Sequence, residues 1–418
     1  MQNLLRILRL VARLLLGLTF TFSGFVKVVD PYGFAYKLQD YFTAFGMDGL
    51  HSFALVFSIL LSGAELLLGM LMLLDELRPL ATWGIFLFMA FFTPLTLYLA
   101  IANPVTDCGC FGDAIKITNW QTFYKNLLFL SAAVLLIVGP WKNQLYISRR
   151  YRYAQFALWG LLALASIAPG IYAVRHLPML DFRAYHIGAS IPDGMTTPPG
   201  APADEYATTF IYEKDGKQQE FTEDNYPWED STWTYVSSET VMVKQGYQPP
   251  IKEFYLNDPA GQDVALEILR KPGDLLMVVS PFIERISSDD VDRLNRLYDS
   301  VTDYGMRMIL ATASPQEVRA QFATKGLHVP IYVGDERVLK TVIRAHPGVV
   351  LMRQGTVLAK WTMRNLPEDS FFLRNPMAAA VSALHAHTER LPLYMLLASL
   401  LLFWGLQATM RAHERRGA

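Results

Sequence analysis

The sequence predicts an α-helical membrane protein, four helices in a bundle plus two further spans, with a β-rich segment and a separate α/β domain outside the bilayer. Three observations carry that prediction. Hydrophobic residues make up 52% of the 418 positions and mean hydropathy is +0.21, more apolar than a water-soluble chain of this size requires for its core. Six apolar runs are separated by short turns or by clusters of arginine, and from Phe254 the pattern changes to short strands alternating with amphipathic helices. A net charge of -1 gives no basic field for nucleic acid, which is excluded as a partner. The two cysteines lie two positions apart and cannot staple a fold, so the outer part must be held by its own core.

Leu4 to Val28 is the first span. Arg6, Arg9 and Arg13 interrupt it on one helical face, and the first two reach headgroups by snorkelling. A basic start before an apolar run also suits a signal peptide, but no small-x-small cleavage site follows and Lys27 ends the run, so a span is the reading. Pro31 to Leu50, with Tyr32, Phe34, Tyr36, Tyr41, Phe42 and Phe45, is an interfacial aromatic segment. Phe53 to Leu74 is the second span and Asp75 to Pro79 a turn. Leu80 to Ala102 is the third, with a tolerated Pro94, and Trp120 to Pro140 the fourth. The fifth runs from Tyr153 to Val174 and a short sixth from Leu391 to Leu406.

The domains expected are 1–140 (four spans), 141–176 (basic loop and fifth span), 177–252 (β-rich), 253–390 (α/β) and 391–418 (last span and basic tail). The arginine-rich amino terminus, the loop with Lys142, Arg149, Arg150 and Arg152, and the tail with Arg411, Arg415 and Arg416 all fall on one side. The positive-inside rule makes that side cytoplasmic. Both termini are then cytoplasmic. The outer domain and the loop before the fourth span face the opposite compartment, which at the inner membrane of a Gram-negative cell is the periplasm, where disulfides persist.

That loop holds Asp107-Cys108-Gly109-Cys110-Phe111-Gly112-Asp113, and two thiols placed at random would fall this close in only about one chain in a hundred. The pair can close as a small, strained and therefore oxidising disulfide. It can also supply half of a soft-metal site, or it is a tight turn whose sulfurs do nothing. Thiol-disulfide chemistry is the leading reading, with Cys108 and Cys110 as the reacting residues and no metal. Asp107 and Asp113 on either side are expected to raise the thiol pKa values. Glu65, near the middle of the second span, needs a partner. At about 1.5 Å per residue, Arg13 stands at a similar depth, so an Arg13–Glu65 pair that fixes helix packing is expected.

In the outer part, Thr208 to Phe221 reads as a hairpin turned at Asp215-Gly216, with a second strand pair within Trp233 to Lys244. Strands follow at Leu275 to Val279, Met306 to Thr312, Val329 to Val333, Val349 to Met352 and Val357 to Trp361. Helices intervene at Ser288 to Tyr304, from Ser314 to Lys325 and at Asp335 to Arg344. This order, with His346-Pro347 before the penultimate strand, resembles a thioredoxin-like domain of the TlpA or peroxiredoxin type over Phe254 to Met363. The resemblance makes Pro347 the candidate cis-proline. It places the family's Cys-x-x-Cys at Ser280-Pro281-Phe282-Ile283-Glu284, where cysteine is absent, so this domain binds or packs rather than exchanging dithiols.

The first four spans resemble the MauE/DoxX group. The residues that carry this are Arg13 to Gly17, Ser23-Gly24-Phe25-Val26-Lys27, Glu65 to Gly69 and the Asp107 to Gly112 motif, and the whole chain resembles a Bacteroidetes DoxX-like architecture with an added outer domain. What this implies is a redox-associated membrane protein. MauE is linked to maturation of disulfide-rich methylamine dehydrogenase, and DoxX relatives to thiosulfate:quinone oxidoreductase. A quinone is the cofactor so implied, and the partners are membrane lipid and a periplasmic client or partner protein bearing thiols. The long outer domain departs from the family and leaves the substrate open. Two other readings remain: a non-enzymatic scaffold or assembly factor, and a small-molecule transporter.

Overall fold

The computed structural model describes residues 2–105, 108–139, 152–367 and 391–416. Asp107, the basic loop before Arg152 and the stretch after Pro367 up to Leu391 lie outside the described residues. The bundle consists of α1 (Gln2–Val29), α2 (Pro31–Ala44), α3 (Ala54–Leu74), α4 (Arg78–Ala102), α5 (Asn119–Ile137) and α6 (Arg152–Arg175). Among the described residues, four helical stretches are long and apolar enough to cross a membrane: Asp48–Leu74, Arg78–Ala102, Asn119–Ile137 and Arg152–Arg175. Helix α1 carries the three arginines and packs along α3, burying Leu16, Phe20, Phe25 and Val28 against Leu66, Met70 and Leu71.

Small residues set how α1 meets α3. A Cβ on Gly24 would overlap the backbone of Leu66, and one on Gly69 that of Thr21, so the two helices touch main chain to main chain. Gly24→Ala is therefore expected to push the helices apart and to lower stability by about 1–3 kcal/mol. Thermal unfolding in detergent reads this, with Gly160→Ala as a silent control because a Cβ there meets open space.

This register corrects the expected ion pair. Glu65 is bound by Lys27, and Arg13 pairs with Asp75 at 2.6 Å. The depth argument counted inward from the ends of two apolar runs. The interlocked glycines instead fix the stagger, and they bring the carboxyl-terminal end of α1 to Glu65 and leave Arg13 level with the end of α3.

The turn after α4 is closed by Asn103 in the left-handed region, and α5 opens with a capping box of Thr118 and Gln121. Toward the chain's end a helix spans Leu391–Arg416, packs on α6 and α3 and buries Phe403.

Beyond α6 and a short α7 (Ile191–Gly194), strands β1 (Glu205–Lys214), β2 (Lys217–Thr222) and β3 (Thr234–Lys244) form an antiparallel sheet in the order β2-β1-β3. Asp215 and Gly216 both have positive φ, as a two-residue hairpin turn demands. The strand pair expected within Trp233 to Lys244 is a single strand, because no glycine, proline or asparagine interrupts Thr234–Lys244 and its whole length pairs with β1.

The α/β domain follows: α8 (Ala265–Arg270), β4 (Asp274–Val279), α9 (Ser288–Asp303), β5 (Arg307–Thr312), α10 (Gln316–Thr324), β6 (Ile331–Val333), α11 (Glu336–Val342), β7 (Gly348–Arg353) and β8 (Thr356–Thr362). Its sheet runs β6-β5-β4-β7-β8, parallel from β6 to β4 and antiparallel across β7 and β8. Period-two alternation buries both faces. Leu276 and Val278 join α9's Val291, Leu294, Leu297 and Val301 on one, and Leu275, Met277 and Val279 join Leu339 and Val342 of α11 on the other. Leu177, Tyr185 and Ile191, grouped by sequence with the β-rich segment, pack into this second core.

Candidate functional site

The loop between α4 and α5 is drawn tight at its base. Asn119 Nδ2 donates to the carbonyls of Leu99 (3.3 Å) and Val105 (2.8 Å) and to Asn103 Oδ1 (3.0 Å). Gly109, at φ +65°, turns the chain between the sulfurs where a Cβ would press on the stem of Lys37 at 3.0 Å. The Sγ atoms of Cys108 and Cys110 lie 2.7 Å apart and are not bonded to one another. Two hydroxyls hold the backbone of the pair to the bundle. Tyr41 of α2 donates to the Cys108 carbonyl and Ser23 of α1 to the Cys110 carbonyl, each at 2.6 Å.

The two thiols are inequivalent. Cys108 is buried, and its S–H, hydrogen-bonded to Cys110, has its pKa pushed well above the ordinary value by that bond and by burial. Cys110 is half-buried, and its pKa is lowered to about 6, first by the hydrogen bond from Cys108 and then by the charges of Lys125 and Lys27, against burial and Glu65. The balance of these effects favours a thiolate at Cys110 over one at Cys108. For Cys110 this runs against the expectation drawn from the flanking acids; Cys108 is raised, but by its partner sulfur and burial. Asp107 lies outside the described residues, and the carboxylate of Asp113 is taken by an arginine. Phe111 packs on Phe22 (ring centroids 5.9 Å) and lies under the Lys125 ammonium at 4.4 Å.

That arginine is Arg344, just beyond α11 on the outer domain, with a side chain only 4% exposed. Its Nη2 donates to Asp113 (2.8 Å), its Nε to Asp30 (3.0 Å) and its Nη1 to the Lys340 carbonyl (2.7 Å). Asp30 also caps α2 by accepting from Gly33 N at 3.1 Å. Beside this cluster the Tyr36 hydroxyl and His346 Nε2 are 2.9 Å apart. Burial, with Lys340, Arg344 and Arg285 nearby, lowers the His346 pKa to about 4, so the ring is neutral at physiological pH. The His346–Pro347 peptide is cis. Lys340 lies over the rings of both Tyr36 (4.7 Å) and Phe282 (5.2 Å), so the Ser280 to Glu284 stretch faces the same junction, where Glu284 accepts from Ser314 Oγ at 2.8 Å.

The structure thus joins two stretches that the sequence singled out separately, the dithiol loop and the His346-Pro347 loop. Lys27 and Glu65 lie beneath the dithiol, close enough to act on Cys110; Arg13, on the far stretch of α1, does not. Sequence reasoning missed Asp30, Tyr36 and Arg344. No local signal marks them, since the partners stand 310 or more residues apart along the chain, apart from Asp113. Among the described residues no group of three or more His, Cys, Asp or Glu side chains is placed to hold a metal ion.

Residues 5–139 match the family model described as methylamine utilisation protein MauE, a span that takes in α1 to α5 and the whole dithiol loop. Residues 206–245, the three-stranded sheet, match a domain of unknown function (DUF8463). No curated protein and no solved structure matches the chain. Residues 5–139 are thus similar to the MauE family, and the apolar helices point to a multi-pass membrane protein.

Proposed function

We propose that the protein is an inner-membrane thiol-disulfide exchange component that acts in the maturation of exported proteins, with Cys110 as the attacking sulfur and Cys108 as the resolving one. The observation that carries this is two cysteine sulfurs in contact but in unequal surroundings, Cys110 half-buried beside Lys125 and Lys27 and Cys108 buried. In the direction in which a client is reduced, the Cys110 thiolate attacks a client disulfide and one client sulfur leaves as thiolate. Cys108, giving up its proton, then attacks Cys110 and expels the second client sulfur. Two electrons pass to the client, and the Cys108–Cys110 disulfide remains; the reverse sequence oxidises a client dithiol.

The family's printed description names methylamine utilisation, and the match over α1 to α5 names no client. The orientation that suits the chemistry puts the dithiol loop and the outer domain in the periplasm, with both termini cytoplasmic. It rests on Arg6, Arg9 and Arg13 at one end and Arg411, Arg415 and Arg416 at the other. The outer domain is read as thioredoxin-like. Its core strands β5-β4-β7-β8, the helices on both faces and the loop ahead of β7 support that reading, and the absence of cysteine leaves it without exchange chemistry of its own. A quinone does not fit the residue that suggested one, because the Glu65 carboxylate is bound by Lys27.

Acid-quenched thiol trapping in cells tests the proposal. The pair is expected to appear in both dithiol and disulfide forms, and a Cys108→Ser/Cys110→Ser chain is expected to reproduce the phenotype of deletion. If that double variant supports wild-type function, thiol exchange is lost. A second reading, a non-enzymatic scaffold or assembly factor whose outer domain holds a partner, then takes its place, favoured by the exposed sheet at Glu205–Lys244.

A further inference from the structure

We infer that Arg344, although it belongs to the outer domain, is a positioning residue for the dithiol, holding the carboxylate of Asp113 and cancelling its charge three residues from the attacking sulfur. The inference rests on the thiol-exchange reading. The loop from Cys108 to Asp113 is pinned by Tyr41 and Ser23 from the bundle and by Arg344 from the other domain. A planar guanidinium suits this task, because its fork engages two carboxylates and a carbonyl at once and fixes their relative position, which a lysine ammonium cannot do. As a source of stability such a buried cluster is poor, since desolvation consumes much of the Coulombic gain. Any control it has on the local field acts through Asp113, three residues along the loop from Cys110. Asp30, Asp113 and Arg344 together carry one negative charge; without the arginine they carry two, and without Asp113 none.

The other charged groups facing the sulfurs are Lys27 from α1, Lys37 from α2, Glu65 from α3 and Lys125 from α5, with Lys340 and Arg285 farther off around His346. These stay constant when the cluster is altered. Arg344→Gln should thus make the Cys110 thiolate harder to form and Asp113→Asn easier.

The test uses the purified full-length chain, reduced, in detergent micelles. N-ethylmaleimide alkylation is followed against pH, and the modified cysteine is identified by peptide mass. The Cys110 midpoint is expected to rise by about 0.5–1 pH unit in Arg344→Gln and to fall by a similar amount in Asp113→Asn. Arg344→Lys, which keeps the charge and loses the fork, should stay nearer to wild type than Arg344→Gln. A merely structural role would loosen the loop in both variants and move both midpoints the same way; that result, or no movement, overturns the inference. Should Arg344→Gln fail to fold, Arg344→Lys serves with Asp113→Asn: the first must keep the wild-type midpoint and the second must shift downward, or the inference fails. A wild-type pair that never cycles in cells would defeat the exchange reading and leave this measurement intact. Same-direction shifts would do the opposite.

Discussion

A Cys108→Ser chain is expected to accumulate a stable mixed disulfide with a thiol client, and a Cys110→Ser chain to accumulate none. The asymmetry follows from which sulfur carries the charge. Serine at 108 keeps a hydroxyl able to donate to the Cys110 thiolate, so attack proceeds, while the sulfur needed to release the client is gone. Serine at 110 leaves only Cys108, buried and with its pKa raised, so thiolate is scarce and exchange should fall by about tenfold or more. Non-reducing electrophoresis of membranes after acid quenching separates the outcomes. Trapping by Cys110→Ser instead would invert the assigned roles, and trapping by neither would remove covalent exchange from the account.

Lys27→Met is expected to lower stability by about 3–5 kcal/mol, because it strands Glu65 without its cation inside an apolar bundle. The cost lies in the unpaired charge rather than in the lost attraction. A Lys27→Met/Glu65→Met double variant should therefore regain most of the loss, a cycle that thermal unfolding in detergent measures. Additive losses would show that the two side chains do not act as a pair. Because the Lys27 charge also favours the Cys110 thiolate, the single variant should in addition raise the alkylation midpoint of Cys110.

Much of the architecture was open to reading from local pattern. The apolar stretches of α3 to α6 follow from uninterrupted hydrophobic length, since backbone groups in hydrocarbon must be paired within the helix. Helix α9 was legible in the spacing of Val291, Leu294, Leu297 and Val301, all four of which are buried. The hairpin at Asp215-Gly216 was legible because two successive residues with positive φ are cheapest for that dipeptide. Where pattern failed, the deciding force was contact between distant elements. Thr234–Lys244 alternates like a strand, but only its pairing with β1 makes it one strand rather than two. Counted along the sequence, Arg13 and Glu65 come out at similar depth, but close approach at Gly24 and Gly69 sets them at different levels and decides which residues meet.

From the sequence alone came the membrane class, the alternation of the outer domain and the suspicion attached to two cysteines set two residues apart, because each depends on residues adjacent in the chain. Only the tertiary structure decided which thiol stands beside the two lysines and which is buried. The field at Cys110 sums Lys27, Lys125 and Glu65, and the loop that bears it is braced by Arg344. Such sums depend on distance in space, and one-dimensional spacing carries no measure of that distance between a helix near residue 30 and a loop near residue 344.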